Sequence, residues 1–499
     1  MSDVYMPGIS SRFNTDQIVE NLMKVERVPR DRVAKDIEKL ESQKTSWQDL
    51  GRRISALRES ARFLFSFQNP FSERKVISSD PSALTGTANR QAFDQELSFR
   101  VQQIAKADRF LSDPLDGDFQ IEAGTYTFTV GPERISFNFR GGSLNDFVST
   151  LNTRGQNKIK ASLIAVQRGS KSLLIESLVT GAENRLGFED SARDLAVRAG
   201  LGAVSEESDT LGVFIPRNPV STAQDAILNM DGIEISRPEN TIDDLVPGVT
   251  LTVRAPSERS ITLKVEPDRE AIKDAIISLV GNYNRLMAEI NILTRTDTQI
   301  LDELSYLSEA ERTSFQERLG IFAGDSTLTQ FRTGLQRAVT SPYMTLDEGT
   351  LGMLAQIGIS TDARGSGAGG YDASRLRGYL EIDEQALDTA LAGDLSFIQR
   401  LFGYDTDGDL VVDSGVAYTL DQMTRPYVET GGIISLKTGT IDSKIKQDNQ
   451  RIETLDRQLA AKEADLKSQY AQMESAYAQM EQMTDSLSNW SLQNSSSNR

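Results

Sequence analysis

The feature that most constrains this 499-residue chain is a heptad repeat of apolar residues near its C-terminus. No proline or glycine occurs between Ile441 and Trp490, so this segment can form one uninterrupted helix. About 50 helical residues form a rod of ~75 Å, and a seven-residue apolar spacing is typical of a coiled-coil seam. One row contains Ile445, Ile452, Leu459, Leu466, Met473, Met480 and Leu487, and a less apolar second row contains Ile441, Asp448, Leu455, Lys462, Gln469, Ala476, Met483 and Trp490.

The N-terminal region carries a second apolar row with helical spacing, interrupted only by Lys44. Asn14, Thr15 and Asp16 are candidate N-cap residues of a first helix, and Pro29 interrupts or restarts it. A long helix is then expected to about Phe67. Its apolar row contains Val33, Ile37, Leu40, Trp47, Leu50, Ile54, Leu57, Ala61 and Leu64.

Matching rows at the two ends predict terminal helices that pair with each other or with partners. A first register places Ile37 near Leu466. The residues expected to form the oligomer or partner seam are Ile37, Leu40, Trp47, Ile54, Leu57, Ile445, Ile452, Leu459, Leu466, Met473, Met480 and Leu487.

The composition narrows the classes of function. The chain has no cysteine, which excludes disulfides and thiol chemistry, and no histidine, which excludes imidazole catalysis and imidazole metal ligands. Catalysis by carboxylates or by Ser and Lys stays open, but an enzyme is not the favoured class. A net charge of −18 argues against nucleic acid as a partner. No apolar run reaches about 18 residues, so the chain is not expected to be membrane-inserted.

The N-terminal segment MSDVYMPGISSRFNTDQIV lacks the basic end and apolar core of a general secretory signal peptide. Taken alone, this suggests a cytoplasmic protein.

Between about residues 76 and 265 the pattern changes to short extended segments separated by turns. TYTFTVGPERISFNF predicts a hairpin with Gly131-Pro132 in the turn. Helices are expected at 143–153 and near 221–228, and a long loop is expected at 189–222. The mixture predicts an α+β class rather than regular α/β alternation.

Helical spacing returns after Asp268 and is expected to continue through Leu293. Short helices are expected around 298–318 and 325–338, and one around Glu384–Phe402. Residues 361–376 are rich in Gly and Ser and are expected to be mobile. The terminal rod should begin after Gly431-Gly432, so the chain is nested as helix, β-rich insert, helix.

Three short motifs resemble nucleotide or acyl-enzyme sites but lack the required context. Gly365–Gly370 satisfies GxGxxG, yet no helix is expected to open at its last glycine. Gly431–Thr438 nearly matches a P-loop, but Leu436 occupies the position of the second glycine. Lys437-Thr438-Gly439 and Ser443-Lys444-Ile445-Lys446 resemble β-lactamase motifs in reverse order. No cofactor is therefore predicted.

Four aspartates, Asp405, Asp407, Asp409 and Asp413, have the spacing of ligands for a hard cation. A calcium loop of the EF-hand type needs glycine at its sixth position and a bidentate glutamate at its twelfth. Here the glycine is fourth and the twelfth residue is Val416. A solvated acidic turn is the favoured interpretation, and no metal site is predicted.

Three stretches in order resemble the flagellar filament-capping proteins, the hook-associated protein 2 family. The first is PGISSRFNTDQIVENLMKVERVPRDRV, followed by KVISSDPSALTGTAN and LSFRVQQIAKADRF; here Ser10–Asn14 departs from the usual G-S-G-L-D. The second is AILNMDGIEISRPENTIDDLVPGVTLTV with VEPDREAIKDAIISLVGNYNRLMAEINILT. The third is GGIISLKTGTIDSKIKQDNQRIETLDRQLAAKEADLKSQYAQMESAYAQM. GYLEIDEQALDTALAGDLSFIQRLF also fits, and YTFTVGPERISFNFRGGSLNDFVSTLNTRG resembles the hook-type insert shared with flagellins.

The resemblance implies a multidomain α+β fold with a coiled-coil leg, a helical domain and a β-rich inserted middle that has a flagellin-hook-like motif. The domains it suggests are a terminal helical leg at 1–45 plus 441–499, a helical domain at 46–85 plus 266–440, a β-rich domain at 86–115 plus 241–265, and an inserted outer β-rich domain at 116–240.

The resemblance also implies a non-enzymatic cap at the distal end of the flagellar filament, where exported flagellin folds and inserts. Such a protein leaves the cell through the flagellar export apparatus, so its location is the flagellum tip, either extracellular or periplasmic. Implied partners are further copies in a homo-oligomer, with a pentamer expected, together with flagellin, hook-filament junction proteins and an export chaperone. The outer domain is sometimes adhesive in the family. The alternative is a non-flagellar coiled-coil scaffold or adhesin.

Overall fold

The computed structural model describes residues 14–167, 169–204, 213–302, 304, 308–344, 351–361 and 377–496. The chain divides into two compact units. Unit 1 comprises Met1–Asn69 and Ile272–Arg499, and unit 2 comprises Pro70–Ala271. The predicted α+β class and the nesting of a β-rich middle between helical ends are confirmed. No helix of the described segments is long and apolar enough to cross a bilayer.

The α-helices of the described residues, in chain order, are α1 (Thr15–Glu26), α2 (Val28–Phe65), α3 (Leu144–Arg154), α4 (Arg269–Thr294), α5 (Gln299–Asp302), α6 (Glu309–Arg318), α7 (Ser326–Thr340), α8 (Glu384–Ala392), α9 (Leu395–Phe402), α10 (Val416–Val428) and α11 (Ile433–Ser496). Single turns of 3₁₀ helix lie at Pro70–Ser72 and Leu354–Ile357, and a turn of π-helix lies at Asp194–Arg198.

The strands, in the same order, are β1 (Arg74–Ser78), β2 (Leu84–Ala88), β3 (Gln95–Gln103), β4 (Arg109–Leu111), β5 (Leu115–Asp116), β6 (Gln120–Ile121), β7 (Gly124–Val130), β8 (Glu133–Phe139), β9 (Gly142–Ser143), β10 (Ile159–Gln167), β11 (Ser170–Ser177), β12 (Leu186–Asp190), β13 (Gly202–Val204), β14 (Val213–Pro216), β15 (Pro219–Ser221), β16 (Ala226–Met230), β17 (Ile233–Arg237), β18 (Thr241–Val246), β19 (Val249–Val253), β20 (Ile261–Pro267), β21 (Tyr343–Met344), β22 (Leu351–Gly352), β23 (Ile359–Ser360) and β24 (Glu381–Ile382).

Unit 1 is built around α2, which packs against both α10 and α11. The part of α4 within unit 1 is apolar on nearly every turn, and most of those residues are buried. Polar groups on its buried face are paired, since the Tyr283 hydroxyl donates to the Gly378 carbonyl at 3.1 Å. Every residue from Leu286 to Leu293 is buried, so this end of α4 shows no single narrow apolar stripe.

Most predicted helices of unit 1 are confirmed, with shifted ends. The helix expected at Glu384–Phe402 is two helices, because Asp394 interrupts it and accepts N–H bonds from Ser396 and Phe397 as the N-cap of α9. Asn14 does occupy the N-cap position of α1, but its side chain makes no capping hydrogen bond. Helix α10 was not predicted. The segment 361–376 lies outside the described residues apart from its first position.

Unit 2 contains two separate hydrophobic cores. The inner one is built by the antiparallel sheet β1-β20-β3-β16-β17 and by the sheet β18-β19-β2. The outer one is built by the sheets β10-β11-β4-β15 and β13-β14-β12-β7-β8 and by α3. The predicted hairpin is confirmed as β7 and β8, with Gly131 in the left-handed region at φ +56°.

The expected helix near 221–228 is wrong, because these residues include the end of β15 and the start of β16. The expected loop at 189–222 contains β13, β14, β15 and the π-helical turn in its described parts. Pro216 and Pro219 interrupt the alternation that would otherwise indicate these short strands. The sequence also assigns residues 226–237 to the outer insert, whereas β16 pairs with β3 and Leu228 belongs to the inner core.

Candidate assembly surface

Helices α2 and α11 lie antiparallel, and two ion pairs define their register. Lys44 Nζ lies 2.6 Å from Asp442 Oδ1, and Arg30 Nε lies 3.2 Å from Asp456 Oδ1. Lys44 follows Arg30 by 14 residues, and Asp442 precedes Asp456 by the same 14. The two ion pairs are therefore two heptads apart on both helices. Equal spacing on both helices is expected of a coiled-coil pairing.

Helix α1 continues this pairing toward the far end of α11. The Thr15 hydroxyl donates to Glu474 Oε1, and both residues are buried. Met23 is 1% exposed and lines, with Leu459, a cleft at the junction of α1 and α2. Together, α1 and α2 accompany α11 from its beginning to Glu474.

The base of α11 is held by a polar and aromatic cluster. Trp47 is 2% exposed and its ring centroid lies 4.7 Å from that of Phe322. Lys437 Nζ lies 5.2 Å from the Trp47 centroid and 3.1 Å from Asp325 Oδ2. Burial works to raise the pKa of Asp325, but the N–H of Leu328 and the charge of Lys437 outweigh it and leave that pKa below its usual value.

The predicted seam residues of α2 are largely buried within one chain. Ile37 and Trp47 are buried, Leu40 is half-buried, and Ile54 and Leu57 have no exposed surface. These residues are buried because this part of α2 packs against α10. The next residue after Leu57, Arg58, donates to Asp421 of α10 at 2.8 Å, so this part of α2 lies in the helical core.

The predicted seam of α11 changes character along its length. Ile445, Ile452, Leu459 and Leu466 are half-buried along α1 and α2. From Met473 to Trp490 the large apolar side chains project into solvent. We call this set the exposed stripe, and its members are Met473 (50% exposed), Tyr477 (47%), Met480 (68%), Met483 (69%), Leu487 (65%) and Trp490 (63%).

Tyr477 is the one member of the exposed stripe that neither heptad row contained.

The register first placed on the sequence is also wrong. Continuing the spacing of the two ion pairs places Ile37 opposite Asn449, and Leu466 lies 17 residues further along α11, or ~25 Å. The heptad repeat predicts the spacing of apolar residues within each helix, but it allows several alignments of one helix along the other. The two ion pairs determine which alignment the structure adopts.

A second surface of unit 1 is a polar cleft between α2, α4 and α6. Glu289 is 2% exposed, and Arg318 Nη1 lies 3.1 Å from Glu289 Oε1 and 3.0 Å from Asp49 Oδ2. Burial raises the pKa of Glu289, and the charges of Arg318 and Arg53 oppose that rise. This cluster ties three helices together, and nothing in the sequence pattern indicated it because its members are far apart in the chain.

The candidate metal ligands lie in a loop between α9 and α10. The carboxylates of Asp405, Asp407 and Asp409 have oxygens within 4.8 Å of one another. Each already accepts a backbone N–H of the loop; for example, Asp405 Oδ1 accepts from Gly408 at 2.7 Å. Asp413 instead accepts from Thr406. Although the N–H of Asp409 lowers the pKa of Asp407, the neighbouring carboxylates raise it above its usual value.

Two of the three motifs that resemble nucleotide or acyl-enzyme sites lie at the start of α11. Gly431-Gly432 is the turn between α10 and α11, and the rest of the P-loop-like segment is the first turns of α11. The β-lactamase-like segments lie on α11 as well. Gly365–Gly370 lies outside the described residues.

A β-rich body inserted between helical ends defines a fold class that solved structures share. The crystal structure of the D1-D2-D3 domains of the flagellar cap protein FliD from Escherichia coli aligns with a TM-score of 0.53 and 22% sequence identity, covering 80% of this chain and 99% of that one. This similarity establishes the fold.

Sequence comparison gives the family. Residues 11–108 match the family model described as the flagellar hook-associated protein 2 N-terminus, and residues 223–482 match the C-terminus model. Flagellar hook-associated protein 2 of Treponema maltophilum is 34% identical over 91% of this chain and 94% of its own length. That of Treponema pallidum is 29% identical over 89% and 93%. The chain belongs to the flagellar hook-associated protein 2 family.

Proposed function

We propose that the chain is the structural cap at the distal end of the bacterial flagellar filament, where exported flagellin subunits fold and insert. Membership of the hook-associated protein 2 family supports this assignment. The observation that carries it is the exposed stripe, because a row of large apolar residues on the surface of a soluble helix normally marks an interaction site.

The stripe and the paired helices beneath it form the leg of the cap. Beyond Glu474, the side chains of Met480, Met483 and Leu487 are each at least 65% exposed, and we infer that assembly covers them. Met473, Met480 and Leu487 are the predicted seam residues that remain accessible for this contact. Methionine suits a contact that must shift as subunits are added, since its unbranched side chain adapts to different neighbours.

The partners follow from this function. The chain associates with further copies of itself, for which a pentamer is the expected ring, and with flagellin below the ring. Hook-filament junction proteins and an export chaperone are the further expected partners. The protein is secreted through the flagellar export apparatus to the flagellum tip, outside the cell or within a periplasm. It acts by confining flagellin rather than by catalysis and needs no cofactor.

Complementation of a strain that lacks this chain tests the proposal. The unmodified chain should restore filaments, whereas Leu487→Asp should shorten or abolish them, because a charge in a covered apolar contact costs several kcal/mol unless paired. Gln482→Asp adds the same charge about 140° around the helix and is the matched control.

Both variants should melt like the unmodified monomer, since position 487 is 65% exposed and position 482 is also exposed. Filaments of normal length with Leu487→Asp would show that the exposed stripe is not needed for filament assembly. Failure of the unmodified chain to restore filaments would contradict the proposed function as a filament cap.

A further inference from the structure

Helix α11 continues beyond its contact with α1, and the side that faced α1 becomes exposed there. The Thr15 hydroxyl donates to Glu474, and this contact marks the side of α11 that faces α1. Glu481, Asp485 and Ser488 lie within about 40° of the same line along the helix, and all three are exposed. We call these three residues the distal face.

The contacts of α1 and α2 with α11 share one antiparallel register. Lys44 pairs with Asp442, and Thr15 contacts Glu474. Thr15 and Lys44 are 29 positions apart, and their partners are 32 positions apart on α11, so the two sides advance almost residue for residue. The segment that precedes Thr15 therefore starts beside Glu474, at the edge of the distal face. The distal face thus continues a surface that the N-terminal part of the chain already covers.

The first 13 residues are long enough to cover the distal face. They precede the described structure, and an extended chain of 13 residues spans up to ~43 Å. The part of α11 from Glu474 to Trp490 is only ~24 Å long. The segment can therefore follow this part of α11 to its end.

Arg12 supplies the charge that the distal face calls for. No lysine or arginine occurs between residues 468 and 498, and Lys467, the last cation before the distal face, already pairs with Glu463 at 2.8 Å. Arg12 lies three residues before Thr15, so their Cα atoms are at most ~11 Å apart. Glu481 lies ~10 Å beyond Glu474 along α11, which places both carboxylates within the range of Arg12.

We propose that residues 1–13 dock on the distal face of their own α11, with the Arg12 guanidinium between the carboxylates of Glu474 and Glu481. A guanidinium presents five donors in a planar fork and can bind two carboxylates at once. The only other charged residue of the segment, Asp3, lies nine positions further from α1 than Arg12. The inference concerns the isolated chain and goes beyond the proposed cap function.

The distal face and the exposed stripe occupy different sides of α11. Met480, Met483 and Leu487 lie about 120–180° around the helix from Glu474. An N-terminal segment docked on the distal face therefore leaves these three side chains accessible to partners. The leg then has one side closed by its own chain and another side available for assembly.

Limited trypsin digestion of the full chain tests the docking, because Arg12 is the first lysine or arginine of the sequence. Mass spectrometry follows the release of residues 1–12. Glu481→Gln combined with Asp485→Asn should speed this release about threefold or more, because the docked segment loses its charge partners. Glu453→Gln combined with Asp465→Asn makes the same charge change at exposed positions of α11 before Glu474 and should leave the rate unchanged.

Two results of the digestion would overturn the proposal. One is release at the same rate from the Glu481→Gln, Asp485→Asn chain and the unmodified chain. The other is protection that appears only at high protein concentration, because the segment would then dock on a second copy.

Charge exchange tests the role of Arg12 by a second measurement. The chain has no native cysteine, so nitroxide labels can be placed at Ser2→Cys and at Lys39→Cys on the exposed face of α2. Pulsed electron paramagnetic resonance on dilute chains should give a narrow distribution of distances between the labels. Arg12→Glu should broaden the distribution about twofold, because like charges then face each other.

Adding Glu481→Arg to the Arg12→Glu chain should restore the narrow distribution. Arg32→Glu, at an exposed position of α2, is the control for the loss of an arginine and should not broaden it. Broadening that Glu481→Arg does not reverse would contradict the pairing, as would a broad distribution in the labelled chain without further substitutions. Both experiments use isolated chains, so their outcome is independent of whether the chain restores filaments.

Discussion

The Nζ atom of Lys437 lies 5.2 Å from the centroid of the Trp47 ring, which joins the first turns of α11 to the middle of α2. Lys437 also forms an ion pair with Asp325, the N-cap residue of α7. The ammonium group of Lys437 on α11 therefore contacts both α2 and α7. The long helix is therefore anchored at its base and exposed at its tip. That contrast separates residues that hold the monomer together from residues that are available for assembly.

The two tryptophans of the chain report on these two ends. Trp47→Ala should lower the free energy of unfolding by about 3–5 kcal/mol, because it empties a packed site. Trp490→Ala should change it by less than about 0.5 kcal/mol, since Trp490 is 63% exposed. Chemical denaturation followed by circular dichroism measures both. A large loss of monomer stability in the second variant would contradict the anchored-base description.

Acidification should loosen the base of α11 through Asp325. Its folded-state pKa lies below the ordinary value, so its stabilisation is present above about pH 4 and is lost as the pH falls through the folded value. Asp325→Asn should cost about 1 kcal/mol at pH 5–7, and the difference from the unmodified chain should shrink below pH 4. Denaturation at several pH values measures this, with Asp36→Asn on the exposed face of α2 as control.

The register of α2 and α11 can be tested by cross-linking within one chain. Lys44→Cys with Asp442→Cys should react rapidly with a short bis-maleimide, because the native side chains are in contact at 2.6 Å. Ile37→Cys with Leu466→Cys should not, since these positions lie ~25 Å apart along the rod. Efficient reaction of the second pair in isolated monomers would contradict the ion-pair register.

Much of the fold could be predicted because its elements carry local signals. The heptad of α11, the Gly131-Pro132 turn and the spacing of α4 each depend on a few neighbouring residues. Strands β15 and β16 were missed since each is short and gains its stability from β4 or β3, which are distant in sequence. Helix α10 was missed because Pro426 lies inside it.

The candidate surfaces were predicted less completely. The apolar row of α11 was visible, but its division into a covered part and the exposed stripe depends on where α1 begins to accompany it. The polar cleft collects residues from α2, α4 and α6, and no local pattern brings Asp49, Glu289 and Arg318 together. Tertiary packing creates such sites, so a single sequence does not show them.

Deleting the outer part of unit 2 should leave the rest of the chain folded and self-associating. Lys106 and Gln224 form an antiparallel bridge in which each N–H donates to the other carbonyl, so the two ends of the outer part are adjacent. Removing residues 107–223 and joining the ends through a short glycine linker should preserve the sheet that contains β3 and β16. Light scattering at high concentration should still show an oligomer.

The matched comparison is deletion of residues 116–240, the division that the sequence alone suggested. This removes β16, β17 and the buried Leu228, so the inner core should open and the product should aggregate. If both deletions behave alike, the two cores are not independent. If removal of 107–223 gives only monomers with intact helices, the subunit contacts lie in the outer part.

The acidic loop should not require a metal ion. Each of its three clustered carboxylates accepts a hydrogen bond from a backbone N–H, and Asp405 accepts from both Gly408 and Leu410. No bidentate glutamate follows at the position where a calcium loop has one. Calcium or a chelator should therefore leave the melting temperature of the full chain unchanged. Free ion at ten times its Kd would stabilise the chain by roughly 1.4 kcal/mol, which a melting curve detects. An upward shift with calcium that disappears in Asp407→Ala would show that the loop is a metal site.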